Sequence, residues 1–419
     1  MSVNHFDVIV AGGGYTGCAA ALAASRNGCR VLVIEDGGAL GGAAVNCLVN
    51  PFMDWFTTVE KNGTRERLSL SAGIFDEIRS RMAELGALKS HIFHEEYLKI
   101  VLDRMLAEAG VTVLFHSRVC GAQVEKGRLV SVSCANIGGV QSYSADYWVD
   151  CTGDASLAVF CGCPYRLGRE GDSLCQPMTL CFRMVNVDTE QIDRAAIDRQ
   201  YQQAQREGRI QNPREDVLMF NTLVPGMIHF NSTRIIKLDP TDPMAVSRAE
   251  ALGREQMLEL VNFLCAEIPA FKNAKLVSSG AHIGVRESRM IDGLYILNEN
   301  DLKNCTRFED AIAAGNYDID IHNPEATGTS HYYFKPGEYY TIPYRSLVPL
   351  GVDNLLVAGR CISVTHAAQA SIRIMPIVCT LGEAAGTALA IAYHASCPVR
   401  DVDVHELRSR LKVQGAFIG

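Results

Sequence analysis

Apolar residues near the start of the chain follow the pattern of a strand, a helix and a second strand. Val8 to Ala11 form a short, continuously apolar run that predicts a buried strand. A glycine-rich turn follows, and then an alanine-rich stretch, Cys18 to Arg26, whose helix is expected to end at Gly28. Arg30 to Glu35 is again apolar and closes on an acid. The pattern therefore predicts a strand–turn–helix–strand unit.

Later parts of the chain alternate between helical and strand patterns. Helical stripes are predicted around residues 74–85 and 97–105, and a long helix over 376–393. Strands are predicted over 111–115, 147–151 and 354–358, with part of a hairpin at 127–135. Residues from about 162 to 340 form a different pattern, with strands over 178–187 and 227–237 and helices over 191–206 and 245–263. Because the strand at 354–358 returns after this segment, we expect one domain to be inserted into another.

Composition narrows the class of protein and its partners. The 419 residues are 48% hydrophobic and 21% charged, as in ordinary globular proteins, which excludes disordered and fibrous classes. Lys and Arg total 39 against 47 Asp and Glu, so the net charge of −8 offers no basic field for nucleic acid or an anionic membrane surface. We find no apolar run near the roughly 20 residues of a membrane span and no signal-peptide pattern. We expect a cytoplasmic protein.

The fifteen cysteines are scattered singly along the chain. An odd number without regular spacing argues against a disulfide framework. The closest pair, Cys161-x-Cys163, lacks the further ligands that a metal site needs. We therefore expect small core residues and no metal.

The glycines after the first strand have the spacing of a dinucleotide-binding turn. Gly12, Gly14 and Gly17 occupy the GxGxxG positions, and Glu35 follows eighteen residues later. In such a turn the first glycine permits the bend, the second lets the backbone approach a pyrophosphate, and the third lets helix pack on strand. The helix N-terminus offers free N–H groups to the phosphates. Glu35 is suited to accept two ribose hydroxyls and to repel a 2′-phosphate, so the pattern disfavours NADP.

Six stretches carry a resemblance to a known family: GGGYTGCAAALAASRNG, GALGGAAVNCLVNPFM, VDCTGDASLA, GVRESRMIDG, IPYRSLVPLGVDNLLVAGRCISVTHAAQASIRIMP and LGEAAGTALA. The chain resembles the FAD-dependent oxidoreductases of the two-dinucleotide-binding-domain (glutathione-reductase-like) superfamily, and more narrowly the bacterial FAD-dependent oxidoreductase family. The resemblance implies an α/β fold, with a Rossmann-like FAD-binding domain (central parallel sheet plus β-meander) and an inserted α+β substrate or cap domain. We expect the FAD-binding domain at 1–161 and 345–400, the inserted domain at 162–344 and a tail at 401–419.

The resemblance also implies which residues bind FAD. The ADP half and the pyrophosphate are assigned to Gly12, Gly14, Tyr15, Thr16, Gly17, Glu35, Asp36, Gly41, Gly42 and Ala43, and the adenine edge to the backbone of Val119. The other assigned residues are Thr152, Gly153 and Asp154 beside the cofactor, Gly359 and Arg360 at the ribityl and pyrophosphate, and Met375 to Ile377 at the flavin pyrimidine. Pro376 suits the start of a helix whose positive end faces the flavin, although an ordinary core helix has the same pattern.

The chain lacks sequence motifs that other classes of flavoprotein need, and this limits the reactions that we expect of it. Neither C-x4-C nor C-x-x-C occurs, so a dithiol relay is not expected. Residues 43–90 contain no histidine for covalent flavin attachment. Cys47 is a second candidate for attachment, but we expect it to be a buried thiol. We therefore expect FAD to bind non-covalently. No close group of three or four cysteines is present for an iron–sulfur cluster.

The candidate catalytic residues are His366, Arg286, Glu287, Arg289, Tyr344 and Arg373. His366 is placed to take a proton from an alcohol or amine, and a structural histidine is the alternative. The Arg286–Arg289 group is suited to grip a carboxylate or sugar hydroxyl, or else forms an ion-pair cluster between domains. Tyr344 either faces the flavin or packs between domains. Arg373 is suited to stabilise reduced flavin or to bind an anionic substrate. Among the other histidines, His331 beside Tyr332 has the best case.

The sequence therefore favours a flavoenzyme that transfers a hydride between flavin N5 and a small polar metabolite carrying a hydroxyl, an amine or an activated C–C bond. A flavin-carrying electron-transfer subunit that works with a partner protein is the alternative. The net charge disfavours an RNA-modifying flavoprotein. We expect a small-molecule substrate, an electron acceptor or donor whose identity the sequence leaves open, no nucleic acid and no membrane span. Formation of a homo-oligomer is left open.

Overall fold

The structure is a computed structural model that describes residues 5–61 and 63–419. Its helices are α1 (Tyr15–Arg26), α2 (Ala43–Asn46), α3 (Ile74–Glu84), α4 (Glu95–Glu108), α5 (Ser156–Phe160), α6 (Arg194–Arg206), α7 (Pro243–Glu267), α8 (Glu299–Lys303), α9 (His366–Ile372), α10 (Met375–Ala395) and α11 (Val404–Val413). Short 3₁₀ helices cover Thr189–Gln191, Pro269–Phe271, Tyr344–Leu347 and Val399–Asp401.

The strands in the first half of the chain are β1 (His5–Ala11), β2 (Val31–Ile34), β3 (Phe56–Lys61), β4 (Thr64–Ser69), β5 (Leu88–Lys89), β6 (Ile92–Phe93), β7 (Thr112–Leu114), β8 (Arg118–Glu125), β9 (Arg128–Asn136), β10 (Gly139–Asp150) and β11 (Tyr165–Leu167). The later strands are β12 (Phe182–Val185), β13 (Met219–Asn221), β14 (Ile228–Phe230), β15 (Lys275–Ser279), β16 (Arg289–Ile291), β17 (Ala311–Gly315), β18 (Ile321–His322), β19 (Thr329–Ser330), β20 (Tyr340–Pro343) and β21 (Leu355–Val357).

A seven-stranded sheet organises the fold. Strands β7, β2, β1, β10 and β21 lie side by side in parallel. The first half of β10 leaves this parallel layer and pairs antiparallel with β9, which pairs with β8. The predicted α/β fold, with a central parallel sheet and a β-meander, is therefore confirmed.

The central strands are apolar throughout because both faces of the sheet are covered. Successive residues of β1 enter different cores. Val8 and Val10 face the core that contains α1 and α10, and Ile9 and Ala11 face the core under the meander and α5. This double burial explains why the strand shows a continuous apolar run and no alternation.

Helix α10 packs directly on α1 through small residues. A Cβ on Gly382 would lie 2.1 Å from the carbonyl oxygen of Thr16, and one on Gly386 would lie 2.1 Å from that of Ala20. The close approach fixes the N-terminus of α10 relative to the glycine-rich turn before α1. Helix α10 is the one helix in residues 5–61 and 63–419 that is long and apolar enough to cross a membrane, and its apolar 18-residue stretch is buried inside the protein.

A second layer has its own sheet and core. Strands β13, β14, β12 and β15 form an antiparallel sheet covered by α6 and α7. Phe182 of β12 stacks on Phe230 of β14 with ring centroids 4.7 Å apart. The strands predicted over 178–187 and 227–237 are shorter than expected, because their outer residues continue as irregular chain that hydrogen-bonds to neighbouring loops.

The predicted domain boundaries differ from the distribution of the cores. Strands β17 and β20 lie inside the predicted inserted segment, yet Ile312 and Ile342 pack in the same core as α1. The segment predicted as a tail contains α11, which packs on α10 through the buried Leu407 and Leu411. The exact division into domains stays a prediction.

Candidate functional site

The glycine-rich turn lies between the end of β1 and the start of α1. Gly12 has a φ of +97°, and a Cβ there would lie 2.6 Å from the carbonyl oxygen of Cys151, so both the conformation and the space require glycine. Gly14 is the N-cap of α1 without a side-chain cap, which leaves first-turn N–H groups, including those of Tyr15 and Thr16, for a ligand.

The second glycine pair lies against this turn. The N–H of Gly41 donates to the carbonyl of Gly13 at 2.9 Å. A Cβ on Gly42 would lie only 2.8 Å from the Cα of Gly14. The structure therefore brings together two glycine segments separated by a helix and a strand, with Ala43 beginning α2 directly behind them. The result is a surface of backbone that a phosphate group can approach closely.

Glu35 is held at the end of β2 by two backbone N–H groups. Gly13 donates to Oε2 at 2.6 Å and Gly37 donates to Oε1 at 2.8 Å. Burial raises the pKa of Glu35, and these two N–H donors act against that rise. The carboxylate is thereby fixed beside the turn, as a ribose-binding acid requires.

The predicted adenine edge lies next to Glu35. The N–H of Ser117 donates to the backbone carbonyl of Glu35 at 3.0 Å, and Val119 follows in β8. Asp36 is exposed and forms an ion pair with Arg118 at 2.6 Å. The binding roles of Val119 and Asp36 stay predictions.

The turn after β10 meets the return segment through an ion pair. Arg360 donates to Oδ1 of Asp154 at 2.5 Å, and the hydroxyl of Ser288 donates to the same oxygen at 2.5 Å. A Cβ on Gly153 would contact the Arg360 guanidinium at 3.1 Å. Gly359, with a φ of +103°, comes close to Thr16 of α1. These predicted cofactor residues therefore form one contiguous region.

Asp150 organises this turn and was missed by the sequence reasoning. It is completely buried, and its carboxylate accepts from the N–H and hydroxyl of Thr152 and from the N–H of Ala158. The sequence signal that could have identified Asp150 is an acidic residue at the end of an otherwise apolar strand. Burial raises the pKa of Asp150, and the hydrogen bonds oppose that rise.

Helix α10 begins at the predicted flavin edge. Met375 is its first residue and Pro376 its second, whereas the sequence analysis placed Pro376 at the start of the helix. Ile374 supplies no side-chain cap, so the first-turn N–H groups remain for other partners. Ile377 is buried and contributes to the core, and its contact with the flavin stays a prediction.

His366 and Glu287 form a hydrogen-bonded pair. Nδ1 of His366 lies 2.7 Å from Oε1 of Glu287, which is completely buried. Oε2 of Glu287 accepts the backbone N–H of Gln176 at 2.8 Å. Gln176 also donates to Gln369 at 3.1 Å, and Gln369 donates to the carbonyl of Arg286 at 2.9 Å. We call these five residues the Gln176 network.

Gln176 was missed by the sequence reasoning because no motif marks it. It lies in a segment without regular structure, and its partner Glu287 is 111 positions away. The network brings two predicted catalytic residues, His366 and Glu287, into direct contact and joins them to Arg286.

Arg286 and Arg373 lie beside an acidic residue that the prediction did not include. Arg373 lies 3.5 Å from Oδ2 of Asp320, and Nε2 of His322 lies 3.3 Å from the same oxygen. Burial, followed by the charge of Arg286, lowers the pKa of His322 to about 3, so this imidazole is neutral at pH 7. Burial opposes the ionisation of Asp320, but the hydrogen bond from His322 and the Arg373 charge outweigh it and hold the pKa of Asp320 low.

Asp320 also belongs to a group that offers ligands to a cation. Asp318, Asp320 and His331 place one ligand atom each within 4.8 Å of one another. Nδ1 of His331 already lies 2.5 Å from Asp318, and Arg373 lies beside Asp320 and repels a cation. These contacts with protein partners argue against a bound cation.

Two further candidates have contacts typical of packing residues. Arg289 begins β16, donates to the backbone carbonyl of Asp154 at 3.3 Å and lies over the ring of Tyr165. Tyr344 is buried, and its hydroxyl donates to the carbonyl of Val399 at 2.7 Å. Tyr344 also lines a cavity of about 370 Å³ together with Arg345, which is paired with Asp310. Catalytic roles for Arg289 and Tyr344 stay predictions.

Comparison with known proteins decides the family. The model of the FAD-dependent oxidoreductase family matches residues 7–411. The chain belongs to the FAD-dependent oxidoreductase family. Membership makes FAD its cofactor and places the chain among flavoenzymes. The finer assignment to the glutathione-reductase-like superfamily stays a prediction.

Solved structures of flavoproteins are similar to the chain at low identity. A geranylgeranyl bacteriochlorophyll reductase-like protein from Thermoplasma acidophilum has 12% identity and a TM-score of 0.45, with 98% of this chain and 84% of that one covered. The myxobacterial halogenase CndH has 13% identity and a TM-score of 0.45, covering 99% and 81%. The p-nitrophenol 4-monooxygenase PnpA from Pseudomonas putida has 11% identity and a TM-score of 0.49, covering 99% and 87%. At these values the likeness bears on neither substrate nor reaction.

The residues present fit FAD. Gly42 lies so close to Gly14 that it has no room for a Cβ, and the two segments together present bare backbone of the kind that approaches a pyrophosphate. The Nε atom of Arg360 is buried without a hydrogen-bond partner, and it lies in the predicted cofactor region. Two N–H donors fix the carboxylate of Glu35 beside the glycine-rich turn, where the ribose is predicted to bind.

Proposed function

We propose that the chain is a FAD-dependent oxidoreductase that transfers a hydride between the flavin and a small polar metabolite, with His366 as proton acceptor. The substrate carries a hydroxyl, an amine or an activated C–C bond. FAD, when bound, supplies a two-electron hydride acceptor or donor at N5. The observation that carries the proposal is the contact between His366 and the buried carboxylate of Glu287.

The partners of Glu287 determine the tautomer of His366. One oxygen of Glu287 accepts the N–H of Gln176, and the other faces Nδ1 of His366. A carboxylate in this position accepts hydrogen bonds, so Nδ1 carries the proton and donates. Nε2 is then left with a free lone pair, which is the atom that takes a proton from the substrate.

The carboxylate also stabilises the imidazolium that forms after proton transfer. Glu287 is completely buried, so its charge acts through a medium of low polarity and is little screened by water. The Gln176 network fixes both ends of the pair, and this preorganisation keeps the imidazole in one orientation.

Non-covalent binding of the flavin is part of the proposal. The charges of Arg360 and Asp154 act on the thiol of Cys47, and both of these residues belong to the predicted cofactor region. Burial raises the pKa of this thiol to about 11, and its sulfur lies 3.6 Å from the carbonyl oxygen of Ile283. A neutral thiol engaged in this way is a poor nucleophile toward flavin.

Two measurements on purified protein test the proposal. Acid or heat should release FAD from the polypeptide, and flavin that stays with the denatured chain would contradict non-covalent binding. Anaerobic mixing with a panel of hydroxy acids, amino acids, alcohols and amines should bleach the flavin with at least one compound. If no compound reduces the flavin and no product of the panel reoxidises it, the hydride-transfer proposal is wrong.

A further inference from the structure

Arg286 has no acidic partner among the residues that the structure describes. Its guanidinium donates to the carbonyl of Pro177 at 2.6 Å, to the hydroxyl of Thr179 and to Oδ1 of Asn231 at 3.3 Å, all of them neutral groups. Burial and the nearby charge of Arg373 lower its pKa to about 9. The residue as a whole is only partly buried.

The other buried arginines are paired. Arg183, Arg214 and Arg234 are each less than one-tenth exposed, and each contacts a carboxylate: Arg183 with Glu95, Arg214 with Asp216 and Arg234 with Glu215. This pairing follows the general cost of burying a charge alone. In residues 5–61 and 63–419 no carboxylate lies within salt-bridge distance of Arg286, so an anion from outside the chain is its natural partner.

Arg373 provides a second, incompletely satisfied guanidinium. Its contact with Asp320 is long, at 3.5 Å, and its Nε atom is buried without a hydrogen-bond partner. Oδ1 of Asp320 also lacks a hydrogen-bond partner. Gln369 links the two residues, because its side chain donates to the backbone carbonyl of Arg286 at 2.9 Å and its own carbonyl accepts the N–H of Arg373 at 3.2 Å. The charges of Arg286 and Arg373 also act on each other and on Asp320.

We propose that Arg286 and Arg373 bind a carboxylate group of the substrate, so that the enzyme acts on small carboxylic acids. This inference rests on the proposed function, because it names the substrate class of the same site. The Gln176 network joins the backbone carbonyl of Arg286 to His366 through Gln369, Gln176 and Glu287. The Arg286 guanidinium donates to the carbonyl of Pro177, the residue after Gln176, so both residues belong to one region of the fold.

The charges of the region favour a monoanion. Two guanidinium groups lie near the ionised Asp320, and His322 is neutral at pH 7. Asp318, the next carboxyl group of this cluster, is hydrogen-bonded to His331. A carboxylate leaves the group close to neutral, whereas a phosphate dianion would place a second negative charge near Asp320. A guanidinium is also suited to bind carboxylate with two parallel hydrogen bonds.

The test uses the FAD-loaded enzyme and measures binding, not turnover. Acetate, glycolate, lactate, malonate and succinate are titrated separately, with the flavin difference spectrum and calorimetric heat as readouts. The corresponding neutral amides and inorganic phosphate are matched probes. At least one carboxylate should bind saturably, its amide should bind at least about 10²-fold more weakly, and phosphate should bind at least about tenfold more weakly.

Variants locate the binding to the two arginines. Arg286→Met and Arg373→Met should each raise the Kd by at least about 10²-fold, and Arg286→Lys should have a smaller effect because it keeps the charge. Arg206→Met is the control, since Arg206 is exposed at the end of α6 and its loss changes the net charge equally. If Arg286→Met fails to fold, the Kd values of Arg286→Lys and Arg373→Met are compared with that of the wild type instead.

Several results would overturn the inference: no saturable binding by any carboxylate, equal binding by an amide or by phosphate, or an unchanged Kd in the folded arginine variants. Failure of the proposed function looks different. A neutral alcohol or amine that reduces the flavin while carboxylates do not bind refutes only the carboxylate site. Carboxylates that bind through Arg286 without any metabolite ever reducing the flavin would refute only hydride transfer.

Discussion

The imidazole of His366 and the carboxylate of Glu287 lie 2.7 Å apart, although 79 positions separate them in the chain. Glu287 is completely buried, and its second oxygen is used by the N–H of Gln176. A buried carboxylate next to a histidine with a free ring nitrogen is an arrangement for moving protons.

Changing Glu287 to Gln should slow substrate-driven flavin reduction without removing FAD. The amide can keep the contact with Gln176, but it no longer holds the proton on Nδ1 of His366 or stabilises the imidazolium. We expect a loss of roughly 10²-fold or more in the reduction rate, measured by anaerobic stopped flow on protein with matched FAD content. An unchanged rate would mean that Glu287 has no part in orienting His366.

Changing Glu35 to Gln should weaken FAD binding. Two backbone N–H groups donate to this carboxylate, and the ribose hydroxyls of FAD are predicted to do so in the holoenzyme. Hydrogen bonds to a charged group contribute about 1.5–3 kcal/mol. The FAD Kd should therefore rise about 10–10²-fold, measured by flavin fluorescence on apoprotein. Glu60→Gln makes the same chemical change at an exposed position of β3 and should leave the Kd unaltered. Equal affinity in both variants would show that the ribose is held elsewhere.

Glu383 should make stability depend on pH. This carboxyl of α10 accepts the N–H of Ile74 at 3.0 Å, and burial raises its pKa from 4.5 to about 7. The unfolded chain loses this proton near pH 4.5 and the folded chain only near pH 7. The free energy of unfolding should therefore fall as pH rises between these values and level off above, by about 3 kcal/mol at most.

Glu383→Gln should remove that contribution, because an amide keeps the acceptor oxygen without a titrating proton. Urea unfolding at pH 5 and pH 8 measures the difference, and Glu84→Gln at the exposed end of α3 is the control. Parallel pH dependences in wild-type protein and Glu383→Gln would show that Glu383 is not the group responsible.

Local patterns were enough to predict the cofactor half of the molecule. The turn at Gly12, the acid Glu35 and the helix after Pro376 each depend on residues close in sequence, where periodicity, glycine spacing and helix-start chemistry operate. The same holds for the meander, whose strands follow one another with short turns.

The substrate half could be predicted only in part, because its contacts join distant segments. His366 and Glu287 were chosen separately, and nothing local indicates that they touch. Gln176, Asp320 and His322 lie in or beside turn-rich chain whose pattern resembles an ordinary loop, and the lack of an acidic partner for Arg286 appears only when the segments are folded together.

The most direct test of the account is substrate-driven flavin reduction in His366→Ala under anaerobic stopped flow. FAD content and visible spectrum should stay near those of the wild type, while the reduction rate falls about 10²–10⁴-fold. Dithionite reduction, which bypasses proton transfer from substrate, should proceed normally. FAD-loaded His366→Ala that reacts with substrate at the wild-type rate would contradict the assignment of His366 as proton acceptor.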